Sequence, residues 1–360
     1  TLLLALALAA LGIAGKQLLD DDAIVVDPTG GGDFTTISEA VAAAVEDDTI
    51  RVRSGTYRED VVLDKAVSLI GDGDRASIVL AGATPWTSDE TTPVALEISS
   101  DAYVADLTVD GGESGGAVDM GFASPTLERV TLMPGVESAL AIGEGSARVI
   151  DSDIKGWLNV WVGGSTPTIE GSRLCGANLE DGATLIGNTI EDAPGCPNGR
   201  ISLGELANAS IIDNDIRLSG EAININATDD SLAPAVIEGN RISGAERGII
   251  FENGGPATIR GNELEEVGLA IEMVREAGIG EVTVEDNSIE GGTDGIVVLA
   301  GSPALNGNEV RGASDRGIAI AGASPVLRDN VVCDNAIDVW VNDFAAPDID
   351  DSNEICGELP

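Results

Sequence analysis

The chain contains no histidine. That single absence removes Ser-His-Asp triads, His-ligated zinc and imidazole proton transfer. Any catalysis has to run on carboxylates, arginine, lysine, tyrosine or a bound metal. Aromatic residues are also scarce, at 3% of 360 residues, although 43% are hydrophobic and 46 are glycine. Such a mixture fills a ring-packed globule poorly, and it suits a solenoid in which small and β-branched side chains stack in layers. Positive charge is rare too. Nineteen Lys and Arg face 62 Asp and Glu, for a net charge of −43, and the lysines are Lys16, Lys65 and Lys155 alone. A surface of that sign repels phosphate backbones and anionic headgroups, which excludes nucleic acid as a partner. Its plain reading is a strongly hydrated acidic exterior.

Two parts are expected along the chain: residues 1–22, an apolar N-terminal segment, and residues 23–360, the repeat domain. Thr1 to Gly15 is apolar and is followed by Lys16 and then Asp20-Asp21-Asp22. It falls short of the ~20 residues of a spanning helix. Three readings stay open for it, namely part of a membrane anchor, a signal-peptide core or the hydrophobic helix of a pilin-like subunit. Each puts the remainder outside the cytoplasm, at the cell surface, in the periplasm or secreted. The cysteines agree. Cys333 and Cys356 each lie three residues after an asparagine (Asn330, Asn353), one coil apart, so stacking brings them to about 5 Å, as a disulfide requires. Cys175 and Cys196 are also about one coil apart, in a different register. Two disulfides fit an oxidising compartment, and no CxxC spacing supports a zinc site instead.

From Asn188 onward one pattern recurs: Asn, any residue, then an aliphatic. It begins at Asn188, Asn214, Asn240, Asn262, Asn287, Asn308 and Asn330, at spacings of 26, 26, 22, 25, 21 and 22. Degenerate copies run upstream as Val130-Thr-Leu132, Ser152-Asp-Ile154 and Ser172-Arg-Leu174. A second strand signal opens with glycine (Gly248-Ile-Ile-Phe251, Gly295-Ile-Val-Val298), and a third follows a proline turn (Pro256-Ala-Thr-Ile259, Pro325-Val-Leu327). Three strands per coil of about 22 residues predict an all-β right-handed parallel β-helix. The six-residue period of a left-handed hexapeptide helix and the LxxLxL runs of leucine-rich repeats are absent. The asparagines are expected to be structural, holding left-handed bends and hydrogen-bonding up the column as an amide ladder.

Residues 24–80 supply the cap. Thr36 or Ser38 can cap a short helix over Glu39 to Val45, and strands are predicted at Thr49–Val52, Val61–Leu63 and Val67–Ile70. The string DFTTISEAVAAA followed by DTIRVRSGTYREDVVLDKAVSLIGDG resembles the N-terminal segment of pectinesterase-like and other pectin-lyase-like β-helix proteins. The NxI coils downstream are similar to the repeats of many bacterial surface and periplasmic proteins and of some membrane-anchored kinase ectodomains. The resemblance implies the fold and leaves the activity open. A pectinesterase pattern would demand Gln-Asp-Thr-Leu, Asp-Phe-Ile-Phe-Gly and Gly-Arg-Pro-Trp stretches. None occurs, and Val94 to Pro134 holds Asp106, Asp110 and Asp119 but no glutamine. The His-Gly of polygalacturonases and the Asp-Pro-His-Glu of alginate epimerases are impossible without histidine. A lyase built on calcium and an arginine base stays open.

Strand parity supplies the binding candidates. In Gly156–Val162, Leu158, Val160 and Val162 are expected inward and Trp157, Asn159 and Trp161 outward. In Asp338–Asn342, Val339 and Val341 are expected inside, with Asp338, Trp340 and Asn342 outside. Indoles beside polar side chains suit stacking on sugar rings or docking a partner, unless loops fold over them. Two acidic groups, Asp343/Asp348/Asp350/Asp351 and Asp20 to Asp22, lack calcium-loop spacing and read as solvated faces, so calcium is the one cation entertained and no cofactor is implied. Glu252 and Glu272 form a conceivable carboxylate pair for glycoside hydrolysis. The expectation is a non-catalytic extracytoplasmic β-helix that binds a glycan or another surface component. The alternatives are a polysaccharide lyase or hydrolase and a self-assembling structural subunit.

Overall fold

The computed structural model describes residues 23–87, 92–161, 166–180, 182–194, 196, 199–204, 208–227, 233–274 and 281–357. The apolar segment 1–22 and Val162 lie outside them. Among the described residues no helix is long and apolar enough to cross a membrane.

The chain winds into a right-handed parallel β-helix of about 14 turns. Among the described residues its strands form three parallel sheets of 15, 14 and 13 strands, each strand bonded to those one coil away. The core is a set of aliphatic columns running the length of the molecule. In the 13-stranded sheet Ile201, Ile223, Ile249, Ile271, Ile296 and Ile318 occupy one register position and are all fully buried. Each such side chain contributes roughly 1.5–3 kcal/mol by leaving water. A one-residue slip would turn a whole column outward, so the hydrophobic pattern holds every coil in register.

The solenoid begins earlier than the predicted strands. β1 (Ile24–Val26) pairs with β2 (Thr49–Arg53), and β3 (Gly55–Arg58) and β4 (Val61–Leu63) complete the first coil. Between β1 and β2 lies α1 (Ile37–Ala43), which covers the N-terminal end with Ile37, Ala40 and Val41. The sequence placed this helix two residues later. Its ends are set by distant side chains rather than by propensity. Thr36 is the N-cap, and the Glu59 carboxylate accepts from the backbone N–H groups of Ile37 and Ser38 at 2.8 Å each. At the other end Lys65 Nζ donates to the carbonyls of Val41, Ala42 and Ala44. An anion at the helix start and a cation at its end both match the macrodipole. Val45 consequently falls outside the helix and is exposed.

The asparagines form an unbroken ladder from Asn188 through Asn214, Asn240, Asn262, Asn287, Asn308 and Asn330 to Asn353. Each Nδ2 donates to the next Oδ1 at 2.9–3.0 Å. Each Oδ1 also accepts the backbone N–H of the preceding asparagine, and each Nδ2 reaches a carbonyl one coil back, such as Ile237 O for Asn262. One amide therefore ties three coils. Ser172 and Ser152 extend the column upstream, accepting the corresponding backbone N–H groups through Oγ or donating to Asn188 Oδ1 through the backbone. The left-handed bend, however, does not belong to the asparagines. It falls on the residue before each from Asn188 to Asn330, for example Asp213 (φ 53°), Gly239 (φ 65°) and Asp286 (φ 54°). Asp and Gly tolerate that conformation, which frees the asparagine side chain to turn inward.

Both disulfides form. Cys333–Cys356 joins adjacent strands beside the in-register pair Val332 and Ile355, and Cys175–Cys196 ties down the loop after Glu191.

Replacing Asn262 by alanine leaves two buried donors of Asn240 without an acceptor. Each orphaned donor costs about 1–3 kcal/mol. The urea midpoint is expected to fall by the equivalent of ~3 kcal/mol. Asn262→Ser should fall less, because serine already serves in this column at Ser152 and Ser172. Equal loss in both variants would contradict the ladder's role.

Candidate binding face

Alternate residues of the 13-stranded sheet point out to one continuous face. Its central row runs Glu97, Asp119, Ala141, Asn159, Asn178, Ser202, Asn224, Ile250, Glu272, Val297, Ala319 and Trp340, one residue per coil. The row is acidic at one end, amide and hydroxyl in the middle, and at the other apolar except for Glu272.

In the middle stretch Asn178 Nδ2 donates to Asn159 Oδ1 at 2.8 Å. Asn178 is exposed, Ser202 half-buried, and Asn224 buried. Trp161, two residues beyond Asn159 and of the same parity, stands 55% exposed at the edge of this row. Leu158 and Val160 point inward, as expected. Two corrections accompany this. Asn159 is outward in parity but only 9% exposed, and its Oδ1 is taken by Asn178 Nδ2. Trp157 is half-buried over Gly176, where a Cβ would come within 2.8 Å of the indole. Of the three outward candidates in this strand, Trp161 is the open one.

The second candidate group sits on the same face but far away. Its strand, Ile337–Val341, is eight strands from Leu158–Val160 in the sheet order. At ~4.8 Å per strand the two groups are about 38 Å apart. Here too the polar atoms are engaged. Asp338, 8% exposed, accepts from Asn335 through both its backbone N–H and Nδ2. Asn342 Oδ1 accepts the backbone N–H groups of Gly322 and Phe344, which makes it a turn residue. The Arg316 guanidinium lies 5.6 Å from the Trp340 ring centroid and is held bidentately by Asp294. One face of this indole is therefore already occupied by a cation.

The acidic candidates resolve similarly. Glu272 accepts from Arg247, which also reaches Glu221 at 2.9 Å, and Glu221 in turn meets Arg200, so it belongs to a four-residue ion-paired chain. Glu252 is exposed on the next strand, two positions further along. Asp348 and Asp350 both engage Arg328, while Asp343 and Asp351 face solvent. Sequence reading missed the polar row at Asn178, Ser202 and Asn224 and the stacked carboxylates Glu97 and Asp119. Only the coil register aligns these positions, since the coil lengths vary.

Burial pushes the Asp119 carboxyl above the usual carboxylate range, and Glu97 one coil away adds to it. A raised folded-state value means that the folded chain holds this proton more tightly than the unfolded chain. The site's penalty is thus absent below the unfolded value near 3.8 and appears as pH rises above it. Asp119→Asn is therefore expected to raise the thermal midpoint at pH 7 and to leave it unchanged at pH 3, as read by circular dichroism. A lower midpoint at pH 7 would contradict this assignment.

The fold is that of a right-handed parallel β-helix repeat protein. Residues 186–354, just under half of the chain, match the family described as "Periplasmic copper-binding protein (NosD)". Short stretches of the chain are similar to two plant pectinesterases. A pectinesterase of Daucus carota is 43% identical over 65 residues, which are 16% of this chain and 20% of that protein. Pectinesterase 2 of Arabidopsis thaliana is 34% identical over 93 residues, 23% of this chain and 16% of that one. These matches thus span about a fifth of their relatives' length. Among solved structures, a GH87 α-1,3-glucanase catalytic domain in complex with nigerose superposes with a TM-score of 0.55 at 11% identity, covering 93% of this chain and 69% of the other. A mannuronic-acid-specific family 6 polysaccharide lyase from human gut microbiota gives 0.51 at 12% identity, covering 85% and 82%. Identities this low speak for the fold.

Proposed function

We propose that this chain is an extracytoplasmic, non-catalytic β-helix that binds a glycan on the outer face of its 13-stranded sheet. The observation that carries this reading is the exposed Trp161 beside the outward Asn178 and Ser202. An indole stacks on the C–H face of a sugar ring while amides and hydroxyls meet its substituents. The two disulfides and the periplasmic family over residues 186–354 support a compartment outside the cytoplasm. Residues 1–22 would then export or tether the domain.

Copper is a poorer fit. The chain has no histidine, Cys196 and Cys333 are locked in disulfides, and Met273 is fully buried. Within the matched residues 186–354, soft donors of the kind copper prefers are thus withheld. Among the described residues the one cluster of potential ligands is Cys333, Glu354 and Cys356, two of which are the disulfide itself.

A hydrolase is the second reading, and it rests on one observation. Glu97 and Asp119 are stacked one coil apart on the same face, and Asp119 holds its proton more tightly than usual. Two carboxylates of unequal proton affinity are the minimum for glycoside cleavage.

A glycan array probed with the native protein decides between binding and its absence. Trp161→Ala is expected to weaken the selected glycan about tenfold, equivalent to ~1.4 kcal/mol. Trp340→Ala should leave affinity unchanged, because Arg316 already occupies that indole. No binding, or equal effects of the two variants, would sink the reading. Reducing-sugar release that disappears in both Glu97→Gln and Asp119→Asn would favour the hydrolase.

A further inference from the structure

The 14-stranded sheet carries a cleft that neither the polar row nor Trp161 enters. It has a volume of about 510 Å³ and is lined by Met133, Pro134, Lys155, Arg173, Glu191 and Pro194, among others. That size falls within the usual range for small-molecule sites, roughly 300–1,000 Å³.

The cleft is built rather than incidental. One wall is the Met133-Pro134 segment at the end of its strand. The opposite wall is the loop after Glu191, and two separate ties hold that loop against the solenoid. The Cys175–Cys196 disulfide anchors its far side, and Asp192 Oδ2 accepts the backbone N–H of Ser219 in the next coil at 2.9 Å. The Cys196 backbone N–H donates to the Ala193 carbonyl at 2.9 Å at the rim. Walls fixed in this way spare a ligand the cost of ordering them.

The lining identifies a chemical class. Lys155 and Arg173 supply two positive charges, and Asp153, Glu191 and Asp192 supply three negative ones. Lys155 Nζ stands 3.5 Å from Asp153, and Arg173 meets Glu191 through Nε at 3.1 Å. One carboxylate can take at most two of the five guanidinium donors, so Arg173 retains capacity for more acceptors. An anion would meet three carboxylates on a molecule of net charge −43. A cation would meet Lys155 and Arg173. A neutral polyol is served by both signs, because each hydroxyl donates to a carboxylate and accepts from a cation. Met133, Pro134 and Pro194 offer apolar surface for C–H faces.

We infer that this disulfide-stapled cleft is a second saccharide site, taking a short neutral oligosaccharide. The ligand class rests on the glycan-binding reading above, and the site itself lies on a different sheet, so the two can fail separately. The test is titration of the full chain with cellotriose, maltotriose and xylotriose, followed by calorimetry and by NMR or crystal soaking. At least one should bind, and Ala193→Trp, which fills the cleft without removing a charge, should weaken it at least tenfold. Arg173→Met should do the same, and Trp161→Ala should not. Thermal unfolding of each variant verifies that it is folded. The inference is overturned if no trisaccharide binds, or if Ala193→Trp leaves affinity unchanged. It is also overturned if Trp161→Ala abolishes the same binding, which would move the ligand to the 13-stranded face. Tighter binding of trigalacturonate than of any neutral sugar would overturn the ligand class.

Discussion

Everything in this protein depends on one coil sitting in register on the next. The aliphatic columns demand it, since Ile223, Ile249 and Ile271 share one line through the core. The asparagine ladder enforces it with directional bonds. An amide that accepts twice on one oxygen and donates both up and down the stack is satisfied only at one axial and angular position. Hydrophobic burial supplies the bulk of the stabilisation and is tolerant of small shifts; the ladder is weaker in sum but intolerant of them. Together they explain how coils of unequal length keep a common cross-section. The extra residues go into turns.

The same register organises the surface. Outward positions also form columns, and each column has its own chemistry. The 14-stranded sheet carries coil-to-coil ion pairs such as Arg241–Glu265 and Arg173–Glu191, which offset part of the self-repulsion of an acidic chain. The 13-stranded sheet carries the amide and hydroxyl row beside Trp161. Catalytic residues are a separate matter, and the pectinesterase stretches are absent from this chain.

Much of the architecture was legible before any coordinates, because it is periodic. A repeat of asparagine, glycine and proline signals survives variation in coil length, and it located the strands, the ladder and both disulfides. Errors came where the decisive partner is remote in sequence. The helix Ile37–Ala43 starts and stops where Glu59 and Lys65 reach it, about twenty residues away. The left-handed bends moved from the asparagines to their predecessors because the amides are needed in the core. Among the binding candidates, parity placed Leu158, Val160 and Val339 inward, where they are buried, but could not measure cover. Asn159 and Asp338 are outward and hidden, and Trp340 is already paired with Arg316.

The sequence by itself determined the coil, its three strands, its core columns and its compartment-sensitive cysteines, since each follows from local periodicity and residue chemistry. Tertiary structure alone decided which outward residues stand side by side. Asn178 becomes a neighbour of Asn159, and Ser202 of Asn178, only through stacking, and Lys155, Arg173 and Glu191 share a cleft because consecutive strands of the 14-stranded sheet carry them. Variable coil lengths erase those alignments from the sequence. Hydrogen bonding between coils restores them.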